Sequence, residues 1–283
     1  MIATFTFLLI FTHLLFLTIT IHTTHTRHVH SAQSQESPPG YSQGHEPCEE
    51  FIEGLTAKPF WDVATQPDLF PWAKELEAQS ETIQQEFQSL SQGLFASDSV
   101  WQNQVMGTGW SAIRLQRLGI WNQENCKVFG NTYKLLKSLD IPLAVRGVCF
   151  ARQAPQSGVQ PHSDGRNFIL TSHLGLQVPE GCWMDVGPER RGWEVGKLTT
   201  LDTSFTHSTG NPSDSMDRYV LILDHWHPEL TTAERAALEY VYDLRNKFES
   251  GLVPVRTPRS LQKKSFDLGS LFGQLTGSSS DSE

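Results

Sequence analysis

The amino-acid sequence predicts a mainly β domain of the sandwich or jelly-roll kind with helices packed on it, and three observations carry that prediction. After Pro142, five short segments, "LAVRGVCFARQ", "NFILTSHLGLQV", "GCWMDV", "GKLTTLDTSF" and "RYVLILDHWH", are separated by clusters of Gly, Pro, Asn and Asp. On both sides of that run the apolar spacing lengthens to three and four residues, the period of amphipathic helices. The 283 residues, 38% hydrophobic and 10% aromatic, suffice for one sizeable domain or at most two small ones.

Taken in order, the chain opens on "MIATFTFLLIFTHLLFLTITI", an apolar run of membrane scale followed by the polar, His-rich "HTTHTRHVHSAQSQESPPG". Residues 1–31 are read as a signal sequence or an N-terminal membrane anchor, although the run lacks a charged leading segment. The small residues Ser31 and Ala32 mark a cleavage point, and either form directs the chain into the secretory pathway. Residues 32–50 are a polar linker with too little apolar surface to fold. The domain is expected over 51–250. In "PDLFPWAKELEAQSETIQQEFQSLSQG", Trp72, Leu76, Ile83, Phe87 and Leu90 fall on one helical face, with Asp68 as cap and Gly93 as stop. A shorter helix is expected from Thr132 to Leu139. After the strands, Leu238, Val241, Leu244 and Phe248 return to helical spacing behind a capping box from Thr231 to Glu234. Residues 251–283 are read as a disordered tail, and no internal repeat is visible.

Composition removes several function classes. A formal net charge of −9 argues against a general affinity for nucleic acid. Cys48, Cys126, Cys149 and Cys182 form neither a CxxC pair nor a dense ladder, which argues against a thiolate zinc site and a disulfide scaffold. One or two disulfides stay open.

The chemistry concentrates in "HSDGRNFILTSHLGLQVPEGC". On an extended segment, residues two apart face the same side, so His162 and Asp164 can hold one metal ion together. His207, in "LDTSFTHSTGN", is the candidate third ligand. Two imidazoles and a carboxylate on one face of an octahedral Fe(II) leave open positions for a co-substrate and dioxygen. The plainer reading of His162 and Asp164 is a turn in which Asp164 bonds the backbone ahead of Gly165. Arg218 opens an apolar strand, where its guanidinium either clamps a carboxylate or forms a surface pair with Asp214 or Asp217. Thr171 and His173 share one strand face, opposite Leu170 and Leu174, so His173 either points into the mouth of the barrel or is a core histidine satisfied by a carbonyl. His225 and His227 are assigned structural roles, and Trp183, Trp193 and Trp226 packing or rim positions.

In order and spacing, "HSDGRNFILTSHLGLQVPEGC", "WEVGKLTTLDTSFTHSTGN" and "DRYVLILDHWHPELTTAERAAL" resemble the aspartyl/asparaginyl β-hydroxylase family of Fe(II)- and 2-oxoglutarate-dependent dioxygenases. "GLTAKPFWD", near Gly54, resembles that family's entry motif, so the resemblance spans about Gly54 to Phe248. It implies a double-stranded β-helix, a cupin-like jelly roll. It also implies Fe(II) as metal and 2-oxoglutarate as co-substrate. The family's metal histidines fall on His162 and His207, its co-substrate arginine on Arg218, and its "HLGL" histidine on His173. Asp164 stands where the animal enzymes have glycine, as in the bacterial lipid A hydroxylases of the same superfamily. The serine and arginine that additionally hold 2-oxoglutarate there appear as Ala151 and Thr171, and the animal cysteine pair is reduced to Cys126, with Tyr133 near the other position. The expected activity is hydroxylation of a C–H bond in a secretory-pathway protein or peptide, at the Asp or Asn β-carbon, or in a lipid acyl group. The other classes are a non-catalytic jelly-roll binding module and a zinc- or manganese-dependent cupin isomerase or hydrolase.

Overall fold

A computed structural model describes residues 29–31, 48, 50–90, 94–96, 106, 107 and 109–252. The apolar leader up to residue 28, most of the linker, Gly93 and the tail from residue 253 lie outside the described residues. The chain divides into two units, Met1–Tyr240 and Val241–Glu283. No helix among the described residues is long and apolar enough to cross a membrane.

The described residues of the first unit form thirteen strands: β1 (Val29–Ser31), β2 (Glu50–Ile52), β3 (Phe60–Trp61), β4 (Trp110–Arg117), β5 (Ile120–Trp121), β6 (Leu143–Gln153), β7 (Ser157–His162), β8 (Ile169–Gln177), β9 (Trp183–Val186), β10 (Glu189–Arg191), β11 (Leu198–Asp202), β12 (His207–Asn211) and β13 (Arg218–Trp226). β1 pairs with β2, so Val29–Ser31 are placed as a strand beside the domain. A major sheet runs β3-β11-β8-β13-β6-β4-β5 and a minor one β10-β9-β12-β7. All these ladders are antiparallel. The five sequence-derived strands are present as β6, β8, β9, β11 and β13, and the other eight are additions.

Alternation along the regular stretches of the major sheet separates two cores. Val148 and Phe150 of β6, Leu170 and Leu174 of β8, and Leu221 and Leu223 of β13 pack against Trp72, Leu76, Ile83 and Phe87 from the helical layer. Ala151, Leu201 and Val220 point the other way, meeting Val159, Met184 and Val186 of the minor sheet. Each fully buried Leu or Phe contributes about 1.5–3 kcal/mol. The two sheets therefore close on an interior lined by their inward-facing side chains, among them the buried polar groups of Gln153, Thr171, His173, His207, Thr209, Arg218 and Asp224.

The helical layer differs from expectation in two details. The long amphipathic segment forms two helices, α1 (Ala73–Ala78) and α2 (Ser80–Leu90), with Gln79 between them. Asp68 does not cap it: the N-cap is Trp72 and makes no side-chain bond. Asp68 lies too far upstream, where the backbone turns on Gln66, whose carbonyl accepts from the amides of Leu69 and Phe70. α3 (Gln123–Val128), capped by Asn122, precedes α4 (Gly130–Ser138), the expected short helix. The last helix, α5 (Thr232–Glu249), opens with the anticipated capping box: the Thr231 amide donates to Glu234 at 2.8 Å and the Glu234 amide to Thr231 Oγ1 at 3.2 Å. Within the second unit that helix ends near Gly251, at φ 71°. Cys126, Cys149 and Cys182 carry free thiols, and no disulfide joins the described residues.

Candidate metal centre

His162 ends β7 and His207 begins β12, and the two residues face each other directly in the ladder. Their ring centroids are 4.3 Å apart. β7 is an edge strand, which is why Pro161, lacking an amide proton, is tolerated beside His162. Asp164 lies in the loop that leaves β7. That loop is pinned by the Asp164 amide donating to the Thr203 carbonyl (2.9 Å) and by Ser163 Oγ donating to the Ser204 carbonyl (2.9 Å). The turn at Gly165, at φ 69°, is closed by Ser163, whose hydroxyl accepts from the Gly165 amide, and the Asp164 carboxylate stays available. One ligand atom from each of His162, Asp164 and His207 can be chosen so that all lie within 4.8 Å of one another.

Both imidazoles are oriented by their backbones. His162 Nδ1 sits 2.8 Å from the Gln160 carbonyl and His207 Nδ1 2.9 Å from the Phe205 carbonyl. A proton on each Nδ1 satisfies those carbonyls and leaves both Nε2 atoms as electron-pair donors. His162 Nε2 is buried with no hydrogen-bond partner. Burial pushes the His207 imidazole down, so it is neutral at physiological pH. Burial would raise the Asp164 carboxyl, but the Arg146 guanidinium, with smaller help from His207 and His162, holds it well below the usual carboxylate range. Two imidazole nitrogens and one carboxylate oxygen fit a divalent transition ion better than a closed thiolate zinc site.

Arg218 is not at the surface. It is 1% exposed, and neither Asp214 nor Asp217 pairs with it; Asp217 instead takes Arg152 at 2.8 Å. Its Nε and Nη1 atoms reach no acceptor, and no described carboxylate comes within ion-pair distance. The guanidinium lies over the Trp193 ring, 4.4 Å from its centroid, and burial pushes its titration down to about 10. Trp193 Nε1 donates to His173 Nδ1 at 3.1 Å, so His173 carries its proton on Nε2. Burial first, then the charges of Arg218 and His207, hold His173 well below the ordinary imidazole range. It is thus a neutral hydrogen-bond donor on the inner face of β8.

Thr171, expected beside the co-substrate, joins the network of side chains around Asp164. It donates to Asp224 Oδ1 at 2.6 Å and accepts from Arg146 Nη2 at 3.1 Å. Arg146 itself was not singled out by sequence. It is paired closely with Asp164 and, through Nε at 3.2 Å, with Asp224, whose carboxyl burial pushes up. Alternation along β6 puts Cys149 and Ala151 inward and so predicts Arg146 outward. The strand breaks register opposite the Leu223/His225 and Arg114/Gln116 steps, where Gly147 adopts φ 78°, and the irregularity turns Arg146 inward. The only trace in the sequence is an Arg-Gly step inside an apolar strand. His225 and His227 lie outside this interior: His225 Nε2 meets Ser172 Oγ at 2.9 Å against Phe70 and Trp72, and His227 Nε2 meets the Thr56 carbonyl at 3.1 Å.

Residues 77–228, more than half of the chain, match the family model described as aspartyl/asparaginyl β-hydroxylase. Human aspartate β-hydroxylase domain-containing protein 2 is 31% identical over 176 residues, 59% of this chain and 47% of that one. Mouse aspartyl/asparaginyl β-hydroxylase is 32% identical over 193 residues, 66% of this chain and 26% of that one. The chain therefore spans about half the length of the first relative and a quarter of the second. Among solved structures, the α-ketoglutarate-dependent epimerase SnoN from nogalamycin biosynthesis aligns with a TM-score of 0.37 and 16% identity, over 54% of this chain and 81% of that one. A 2OG-Fe(II) oxygenase family protein from Burkholderia pseudomallei scores 0.36 at 13% identity, over 50% and 78% of the two chains. At such scores the structural likeness carries no argument.

Proposed function

Because this chain belongs to the aspartyl/asparaginyl β-hydroxylase family, we propose that it is a 2-oxoglutarate-dependent dioxygenase that hydroxylates a C–H bond, with Fe(II) held by His162, Asp164 and His207. The observation that carries the reading is the pairing of two unusual features in one interior. One is a converging set of two imidazoles and a carboxylate, and the other is Arg218, a buried cation without a carboxylate. A protein keeps such a charge buried only where it is compensated, and a dicarboxylic acid compensates it through paired charge-assisted hydrogen bonds.

When bound, Fe(II) and 2-oxoglutarate supply the oxidising chemistry, in which decarboxylation to succinate and carbon dioxide delivers one oxygen atom of O2 to the substrate C–H bond. The chain's share is orientation and exclusion. The Gln160 and Phe205 carbonyls hold the two Nε2 atoms toward the metal. Arg218 receives the distal carboxylate of the co-substrate, stiffened by the Trp193 ring. His173, neutral and protonated at Nε2, donates a hydrogen bond without adding charge. Val159, Met184, Val186 and Phe205 form a dry wall, which strengthens every polar contact inside and suppresses unproductive turnover.

The names of the relatives support an Asp or Asn side chain of a protein as substrate, hydroxylated at the β-carbon. The N-terminal apolar run supports meeting it in the secretory pathway. The test is anaerobic titration of the full chain with Fe(II) and 2-oxoglutarate. The dioxygenase develops the weak visible charge-transfer band of the chelate and, with oxygen, releases succinate, and His207→Ala loses both. A zinc- or manganese-dependent cupin hydrolase, or a binding module, shows no such band. If His207→Ala leaves succinate release intact, the metal assignment is wrong.

A further inference from the structure

We infer that Arg146 is a positioning residue for the metal ligand Asp164, engaging one carboxylate oxygen so that the other alone faces the cation; this rests on the metal reading above. The two oxygens of Asp164 have different neighbours. Oδ2 is taken by Arg146 Nη1, whereas Oδ1 points back to His162, 4.0 Å from its Nε2. The terminal torsion of an aspartate is broad and nearly two-fold, so an untethered carboxylate either swings away or engages a metal with both oxygens. Fixing Oδ2 makes Asp164 a one-oxygen ligand and leaves more of the metal face open.

Arg146 is itself held from three sides. Nη2 donates to Asp224 Oδ1 at 3.2 Å, and Nε lies at ion-pair distance, 3.2 Å, from Asp224 Oδ2, so the Asp224 carboxylate holds the guanidinium from one side. Nη2 also reaches Thr171 Oγ1 at 3.1 Å and Thr203 Oγ1 at 3.3 Å. Thr203 is the residue whose carbonyl accepts from the Asp164 amide, so backbone and side chain of the ligand are referred to one point. Thr171 ties the arrangement to β8 by donating to Asp224. Removing Arg146 therefore releases the carboxylate while the backbone carbonyls that orient both histidines stay in place.

The test uses Mn(II) alone, with no co-substrate and no turnover, on the full chain. Free Mn(II) is followed by electron paramagnetic resonance for the wild type and for Arg146→Gln, with circular dichroism confirming the fold. Loss of a group that orients a metal ligand costs about 10- to 100-fold in affinity, and that weakening is expected. The Co(II) visible spectrum is expected to change as well, because an untethered carboxylate alters the coordination number, which a merely structural role would not do. If Arg146→Gln does not fold, Arg146→Lys replaces it: the ammonium keeps the charge but cannot grip both carboxylates, and the same weakening is expected. A change in Mn(II) affinity below about threefold, well short of that range, overturns the inference. A wild type that takes up no Mn(II) overturns the metal reading itself, so the two failures are told apart.

Discussion

Replacing Arg218 by methionine is expected to strengthen the ligand-free fold while removing the co-substrate site. The guanidinium titrates near 10 instead of 12.5, because burial disfavours its charge. At about 1.4 kcal/mol per pH unit, keeping it ionised in the interior costs roughly 3 kcal/mol. Against this stands its contact with the Trp193 ring, which contributes about 1–2 kcal/mol when desolvated. Methionine has similar reach and no charge, so Arg218→Met should gain about 1–2 kcal/mol. In a domain of this size that raises Tm by about 4 °C, read by scanning calorimetry on metal-free, ligand-free protein. With Mn(II) present, the same variant should lose 2-oxoglutarate affinity by about 100-fold or more, since two charge-assisted hydrogen bonds disappear. A Tm that falls, or a 2-oxoglutarate affinity within a few-fold of wild type, refutes the assignment of Arg218 as a cation kept for an acid.

Other outcomes test the fold around the site. The buried His225 imidazole is pushed down to about 4 by desolvation, so the unfolded chain binds its proton first. Its contribution to stability is complete above about pH 6.5 and is lost as pH falls toward 4, by up to roughly 3 kcal/mol, and urea denaturation of His225→Gln should show a shallower acid slope over that window. In Gly147→Ala a Cβ would meet Gln116 Oε1 at 2.0 Å and its carbonyl oxygen at 2.2 Å, in a left-handed backbone, so a loss of at least about 2 kcal/mol is expected in the same denaturation experiment. Thr231→Ala removes the capping box of the last helix and should cost about 1 kcal/mol without altering Mn(II) uptake. Burial pushes the Cys149 thiol up to about 12, so iodoacetamide should label it at pH 8 only after unfolding, as seen by intact mass.

The convergence of His162, Asp164 and His207 is legible because its parts are written in order along the chain, a histidine and an aspartate two apart and then a distant histidine, with an arginine opening the next apolar strand. The Asp214 or Asp217 pairing left open for Arg218 is excluded by its burial, which only the register of β13 between β6 and β8 reveals. β7 and β12 were harder to read, since "SGVQPH" and "HSTGN" are polar and short. β12 is nevertheless fully buried, and Asn211 replaces apolar contacts by donating to three backbone carbonyls, of Gln153, Ala154 and Met216. Arg146 was hidden for a geometric reason, because alternation assigns it to the wrong face and only a bulge reverses that assignment. The resemblance sets Thr171 beside the co-substrate, and the bonds of its hydroxyl to Asp224 and Arg146 are ones that no sequence pattern announces.

The direct pairing of His162 with His207 also bears on how the minor sheet is kept in step. A slip of one residue along that ladder would send both rings to opposite faces, so an ion gripping both nitrogens doubles as a clasp between the end of one strand and the start of another. Amide exchange in β7 and β12 should therefore slow when a divalent ion is added, while exchange in β6 and β13, anchored by the aromatic layer behind them, stays as it was.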